Sequence, residues 1–168
     1  MAKAATAAIR TYASSVGVPN ENRQAIISLL NLRLADSVDI HSQVKWAHWN
    51  VKGKDFYQLH LLFDSVATHL EDHIDTIAER VAALGGVANG TIREAVAKSS
   101  IPEANIAAAD GSEMVKFLIH NVGQFTNALR AAIKEAEDLD DAATVDLFTT
   151  ITRDMDKDLW FIEAHTQA

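Results

Sequence analysis

Residues 48–79 read H-W-N-V-K-G-K-D-F-Y-Q-L-H-L-L-F-D-S-V-A-T-H-L-E-D-H-I-D-T-I-A-E. Potential metal ligands recur in this stretch at helical spacings: His48, His60, Asp64, Asp75 and Glu79. His60 and Asp64 are four residues apart, as are Asp75 and Glu79, so each pair shares one helix face. At ~100° per residue these four fall within an arc of roughly 100°. Imidazole with carboxylate suits iron, manganese or zinc. Taken pair by pair, acidic residues on a helix most often just face water. The whole constellation points to a metal site.

One helix cannot close that site. Asp64 and Asp75 lie 11 residues apart. They point in nearly the same direction but stand ~16 Å apart along the axis. Two-metal sites hold their ions roughly 3.5–4 Å apart. Two copies of the helix, antiparallel about a two-fold axis, can set the His60/Asp64 end of one beside the Asp75/Glu79 end of the other. Such an interface is self-complementary and builds two identical sites at once.

Around the stretch, the helix it belongs to opens at Asp55, with Gln58 three residues on as a capping box. Phe56, Leu59, Phe63, Val66, Leu70, Ile74, Ile77, Val81 and Leu84 form an apolar stripe beside the ligand arc, and Gly85-Gly86 ends it. His69 and His73 project away from the arc and are expected at the surface. Upstream, a helix starts at the N-cap Asn20 after Pro19, runs to about Asn50 and stops at Gly53. Ile26, Leu29, Leu30, Leu32, Leu34, Val38 and Val44 give it an apolar face at helical spacing. Residues 1–18 read as a flexible tail and residues 19–168 as one domain.

Downstream, residues 87–110 form a long connection with a short helix over Thr91–Lys98 and a bend at Pro102. Ile92, Val96, Ile101 and Ile106 make it apolar enough to pack. The third long helix opens at Asp110, paired with Glu113, and runs toward Ala136 through Met114, Phe117, Leu118, Val122, Phe125, Leu129 and Ile133. The acidic break E-A-E-D-L-D-D leads to Asp141, the N-cap of the fourth. That helix runs to about His165, with Leu147, Ile151, Met155, Leu159, Trp160 and Ile162 as its buried side. Four long helices with a long middle connection predict an all-α four-helix bundle.

Composition narrows the function. The 168 residues fit one domain with a substantial core. There is no cysteine, which excludes disulfides and thiolate metal sites and is compatible with a reducing cytosol. No run reaches the ~18 apolar residues of a membrane span, and the N-terminus lacks the apolar core of a signal peptide. The net charge of −8 opposes a general affinity for nucleic acid and suits a protein that gathers cations.

Three segments carry a family likeness: K-W-A-H-W-N-V-K-G-K-D-F-Y-Q-L-H-L-L-F-D (45–64), D-H-I-D-T-I-A-E-R-V-A-A-L-G-G (72–86) and R-D-M-D-K-D-L-W-F-I-E-A-H (153–165). Together they closely resemble the Dps family of ferritin-like mini-cages (DNA-binding proteins from starved cells), over roughly residues 20–165. The resemblance implies that His48, His60 and Asp64 of one subunit meet Asp75 and Glu79 of its two-fold mate in a ferroxidase centre. It implies a hollow homododecamer that oxidises Fe(II), preferably with hydrogen peroxide. Ferric mineral is then stored inside, which protects DNA and the cell in the cytoplasm. Trp49 stands where the family has an aromatic that absorbs stray oxidising equivalents, although a packed aromatic at the end of a helix explains it equally. Trp46 is assigned no chemical role. Asp141 and Asp146, with Asp138, match acidic residues that line an iron pore on the three-fold axis, where a solvated acidic turn is the alternative.

Other functions compete. A conventional di-iron bundle builds its site within one chain, typically from Glu-x-x-His motifs, and this sequence contains none. A DNA-compacting shell would need a basic tail. Lys3 and Arg10 are the only basic residues in the tail, so DNA binding is expected to be weak or absent even with twelve-fold avidity. A cage holding zinc or manganese at the same ligands without turnover remains open, because ligand type alone does not select among divalent metals.

Overall fold

A computed structural model describes residues 10–167. Five helices follow in order: α1 (Asn20–Asn50), α2 (Phe56–Ala83), α3 (Ile92–Lys98), α4 (Gly111–Asp138) and α5 (Ala142–Glu163). Among the described residues there is no strand. Helices α1 and α2 pack as one hairpin and α4 and α5 as another. The hairpins close on each other through α1 against α4 and α2 against α5, while α3 lies on α1. Short links make the hairpins antiparallel neighbours, and the long connection between α2 and α4 carries α3. The core is continuous along the bundle, with Leu30, Leu34, Ile40, Phe63, Leu70, Ile77, Leu118, Phe125, Phe148 and Met155 all fully buried.

The helix boundaries follow local chemistry, with corrections at two starts. Asp110 accepts from the Glu113 N–H at 3.0 Å while Glu113 Oε2 accepts from the Ala109 N–H at 2.7 Å, so the third long helix is capped as expected. Asp141 caps α5 by accepting from the Thr144 N–H at 3.4 Å. The expected Asp55–Gln58 box does not form, because Asp55 makes no side-chain cap bond. Instead the Phe56 N–H reaches the carbonyl of Gly53, whose φ of 105° lets the chain double back between α1 and α2. Asn20 is likewise not a cap: it is the first residue of α1, preceded by Pro19.

Residues 10–18, expected in a flexible tail, are tied to the bundle. The Tyr12 N–H donates to the Gly85 carbonyl at 2.8 Å and Ser14 Oγ to the Ala83 carbonyl at 3.0 Å. Gly85 has φ 80°, and a Cβ there would strike the Tyr12 carbonyl, so this docking requires glycine. The rest of the expected tail, residues 1–9, lies outside the described residues.

The long connection is held by polar groups together with a few of its apolar residues, Ala95, Ile101 and Ala108. Asp36 Oδ1 accepts from the Ser100 N–H at 2.7 Å and from its hydroxyl at 3.1 Å. Gln43 and Asn121 both donate to the Pro102 carbonyl, at 2.9 and 3.0 Å. Of the isoleucines and valine expected to pack, only Ile101 is buried; Ile92, Val96 and Ile106 are 76, 81 and 77% exposed. Trp160, expected on the buried side of α5, is also exposed.

Candidate metal centre

Helices α1 and α2 bring His48, His60 and Asp64 together. The two imidazoles stack with centroids 3.9 Å apart. His48 Nδ1 donates to the His60 carbonyl at 2.8 Å and His60 Nδ1 donates to the His48 carbonyl at 2.9 Å. A carbonyl only accepts, so each Nδ1 carries the proton. Each Nε2 is thereby left, in the neutral ring, with a lone pair to offer a metal. This reciprocal bond fixes tautomer and ring orientation before any ion arrives, the usual task of groups behind metal-ligating histidines. His48 Nε2 lies 3.7 Å from Asp64 Oδ1.

Lys45, which spacing arguments overlooked, occupies the same corner. Its Nζ sits 2.8 Å from Asp64 Oδ1. This hydrogen bond, with the Lys45 charge, holds the Asp64 carboxyl below its ordinary value despite some desolvation. Lys45 lies three residues before His48, so the two share a face of α1. That spacing could have found it.

Asp75 and Glu79 are exposed on the same unbroken α2. No kink shortens the ~16 Å between the two halves of the ligand set. Among the described residues, no three His, Asp or Glu side chains converge as a ready-made ion cage within the chain. Trp49 follows His48 and is 65% exposed within the single chain. With Lys45, Val38, Ile92 and Val96 it lines an open groove between α1 and α3. Trp46 turns inward and its ring meets Phe117 at 5.9 Å.

The acidic residues matched to a pore separate into two kinds. Asp138 and Asp146 are exposed. Asp141 is buried, and Arg80 Nη2 donates to both of its carboxylate oxygens at 2.8 Å. Burial alone would raise the Asp141 pKa. Hydrogen bonds from Thr144 and Arg80 overcome that and hold it low.

Of the two histidines expected at the surface, His69 is exposed and His73 is a correction. His69 Nδ1 donates to Asp158 at 2.9 Å across the α2–α5 seam, and His73 is buried beside Asp154. The α2 face that turns away from the ligand arc meets α5, with His73 inside the seam and His69 at its exposed edge.

Helix order, pairing and the long middle connection define a ferritin-like bundle, and the family model for the ferritin-like domain matches residues 27–168. The DNA protection during starvation protein of Agrobacterium fabrum is 36% identical over 159 residues, 95% of this chain and 98% of that protein. DpsA14 from Streptomyces coelicolor superposes with a TM-score of 0.89 at 35% identity, covering 96% of each chain. A Dps protein from Bacillus brevis does so with a TM-score of 0.82 at 31% identity, covering 89% of this chain and 100% of that one. The chain belongs to the Dps family.

Proposed function

We propose that this chain is the subunit of a homododecameric iron-storage cage. It oxidises Fe(II), preferably with hydrogen peroxide, at sites shared across a two-fold interface. The observation that carries the reading is the His48–His60 pair, whose Nδ1 protons are committed to each other's backbone so that both Nε2 atoms are left for a metal, that of His48 3.7 Å from Asp64. Iron is the substrate, and imidazole with carboxylate is a donor set suited to it. In this reading Asp75 and Glu79 of the mate complete the site, as the separation along α2 requires. The exposed Trp49, Ile92 and Val96 are an apolar surface that such a mate would cover. Trp49, beside His48, is then placed to take up stray oxidising equivalents.

Each Fe(II) gives one electron, and two electrons with two protons reduce hydrogen peroxide to two waters. Pairing the ferrous ions therefore avoids release of hydroxyl radical. Asp138 and Asp146 supply the exposed negative charge for cation access to the cage, while Asp141 serves the turn. Protection of DNA follows from removing iron and peroxide, without a strong grip on DNA by a lysine-poor tail.

Mixed assembly tests the shared site. Subunits carrying Asp75→Asn and Glu79→Gln are co-assembled with subunits carrying His60→Ala and Asp64→Asn. A mixed dimer regains one complete site, so peroxide-driven Fe(II) oxidation returns in cages where each parent is inactive. Mixed cages as inactive as either parent, with both subunits present, would refute the shared site.

A further inference from the structure

A second set of donors lies on the other side of α2. His69 and His73, four apart on α2, face Asp158 and Asp154, four apart on α5, across a groove of about 220 Å³ that Asp72 and Lys157 also line. His69 Nδ1 is 2.9 and 3.2 Å from the two oxygens of Asp158, and His73 Nε2 is 3.7 Å from Asp154 Oδ2. We propose that His69, His73, Asp154 and Asp158 form a second divalent-metal site, for a first-row ion of the Zn(II), Co(II) or Fe(II) type. It is separate from the His48/His60/Asp64 centre and does not rest on the ferroxidase reading.

Three observations point to a ligand. First, His73 is 9% exposed, and its Nε2 is a buried atom without a hydrogen-bond partner, aimed at Asp154. Buried polar atoms are seldom left unpaired. Desolvation lowers the His73 pKa, so the ring is neutral and its nitrogens can act as donors.

Second, Asp158 is 2% exposed and lacks the arginine its equals have. The other fully buried aspartates each hold an arginine: Asp36 has Arg33 at 2.9 Å and Asp141 has Arg80 at 2.8 Å. Among the described residues, Asp158 has only His69. Lys157 does not fill the gap, because its ammonium lies over the Phe161 ring, 5.6 Å from the centroid. A buried carboxylate whose one partner is a half-exposed imidazole, with no arginine or lysine, can gain a counter-charge from a cation.

Third, the spacing is right. Two donors ~2.1 Å from a tetrahedral ion lie about 3.4 Å from each other. The two existing nitrogen–oxygen gaps, 2.9–3.2 Å and 3.7 Å, bracket that value. No three of the four side chains converge as they stand, so binding must also draw the His69–Asp158 pair and the His73–Asp154 pair together across the groove. The ion would take the place of the Nδ1 proton that His69 donates to Asp158, which in a neutral ring passes to Nε2.

The test counts Zn(II) per subunit in intact protein by equilibrium dialysis, and follows the His69 and His73 imidazole resonances by NMR. The background carries His60→Ala and Asp64→Asn, which removes ligands of the first centre. The expected result is one remaining Zn(II) per subunit, with both imidazoles shifting on its addition. Adding His69→Gln and Asp158→Asn should weaken that ion by more than about tenfold, since changes behind metal ligands alone cost about 10–100-fold. Failure of the ferroxidase reading would leave this ion in place. If no Zn(II) remains in the background protein, or if it remains without moving either imidazole, the second site does not exist. The NMR readout in the background protein decides even if the additional variant does not fold.

Discussion

Replacing Lys45 with Met should tighten metal binding at the His48/His60/Asp64 centre. The ammonium sits 2.8 Å from the carboxylate oxygen that an incoming ion would use. An ion bound there would lie ~4 Å from Nζ, where a +1/+2 pair repels by about 2 kcal/mol at the dielectric of water. Water is the right medium, because the Asp64 side chain is 50% exposed. Lys45 can also swing partly away, and breaking an exposed pair costs little. The net gain is about 1–2 kcal/mol, or roughly 5–30-fold in affinity.

The assay is anaerobic calorimetry with Fe(II), repeated with Zn(II), at pH 7. Asp64 is ionised there with or without its partner, since its ordinary value is 3.8 and Lys45 lowers it further. Oxidation at low Fe(II) should quicken while the rate at saturating Fe(II) stays close to the parent's. Lys45→Arg, which keeps the charge, should show no such gain. Unchanged or weaker affinity in Lys45→Met would refute the reasoning and mean that Lys45 orients Asp64 rather than competing for it.

Two further outcomes concern stability, both read as Tm at fixed protein concentration because assembly contributes to it. Arg80→Met should destabilise by about 3 kcal/mol or more, since it strands a buried carboxylate, and adding Asp141→Asn should recover part of the loss. Asp141 has a depressed pKa in the fold, so its contribution is present above its ordinary value of 3.8 and is lost as pH falls through the folded value. His41 and His73 act near neutrality. Burial lowers both below the ordinary 6.5, the unfolded chain binds their protons more tightly, and stability falls as pH drops below about 6.5. For His73 this holds against the opposing pull of Asp154, Asp158 and Asp72, and His73→Gln should flatten the acid limb of Tm against pH.

The long helices and their bundle were legible because apolar residues recur at helical spacing over about three to four turns or more, which few other structures produce. Capping was legible where side chain and backbone cooperate, at Asp110 and Asp141. It failed at Asp55, where the tight return through Gly53 supplies the carbonyl partner instead. His73 was misplaced for a geometric reason. A helix inside a bundle buries more than one stripe, and the stripe of α2 that meets α5 is partly written in histidine, not leucine. Lys45 escaped because a search for ligands passes over a cation, though it governs the charge at Asp64.

Ile92 and Val96 pose the harder question. Their apolar character reads as burial, yet within one chain they are exposed. Periodicity tells that a residue wants to leave water but not whose atoms cover it. Asp75 and Glu79 carry the same ambiguity: their spacing marks them as a ligand pair, while their own helix puts them ~16 Å from the other donors. A second copy packed antiparallel on this face would resolve both at once, covering the groove beside Trp49 and carrying its carboxylates to the His48/His60 end. One interface meets both demands, and a two-fold axis then meets them twice. Reading either feature alone would leave an unexplained apolar patch or half a metal site.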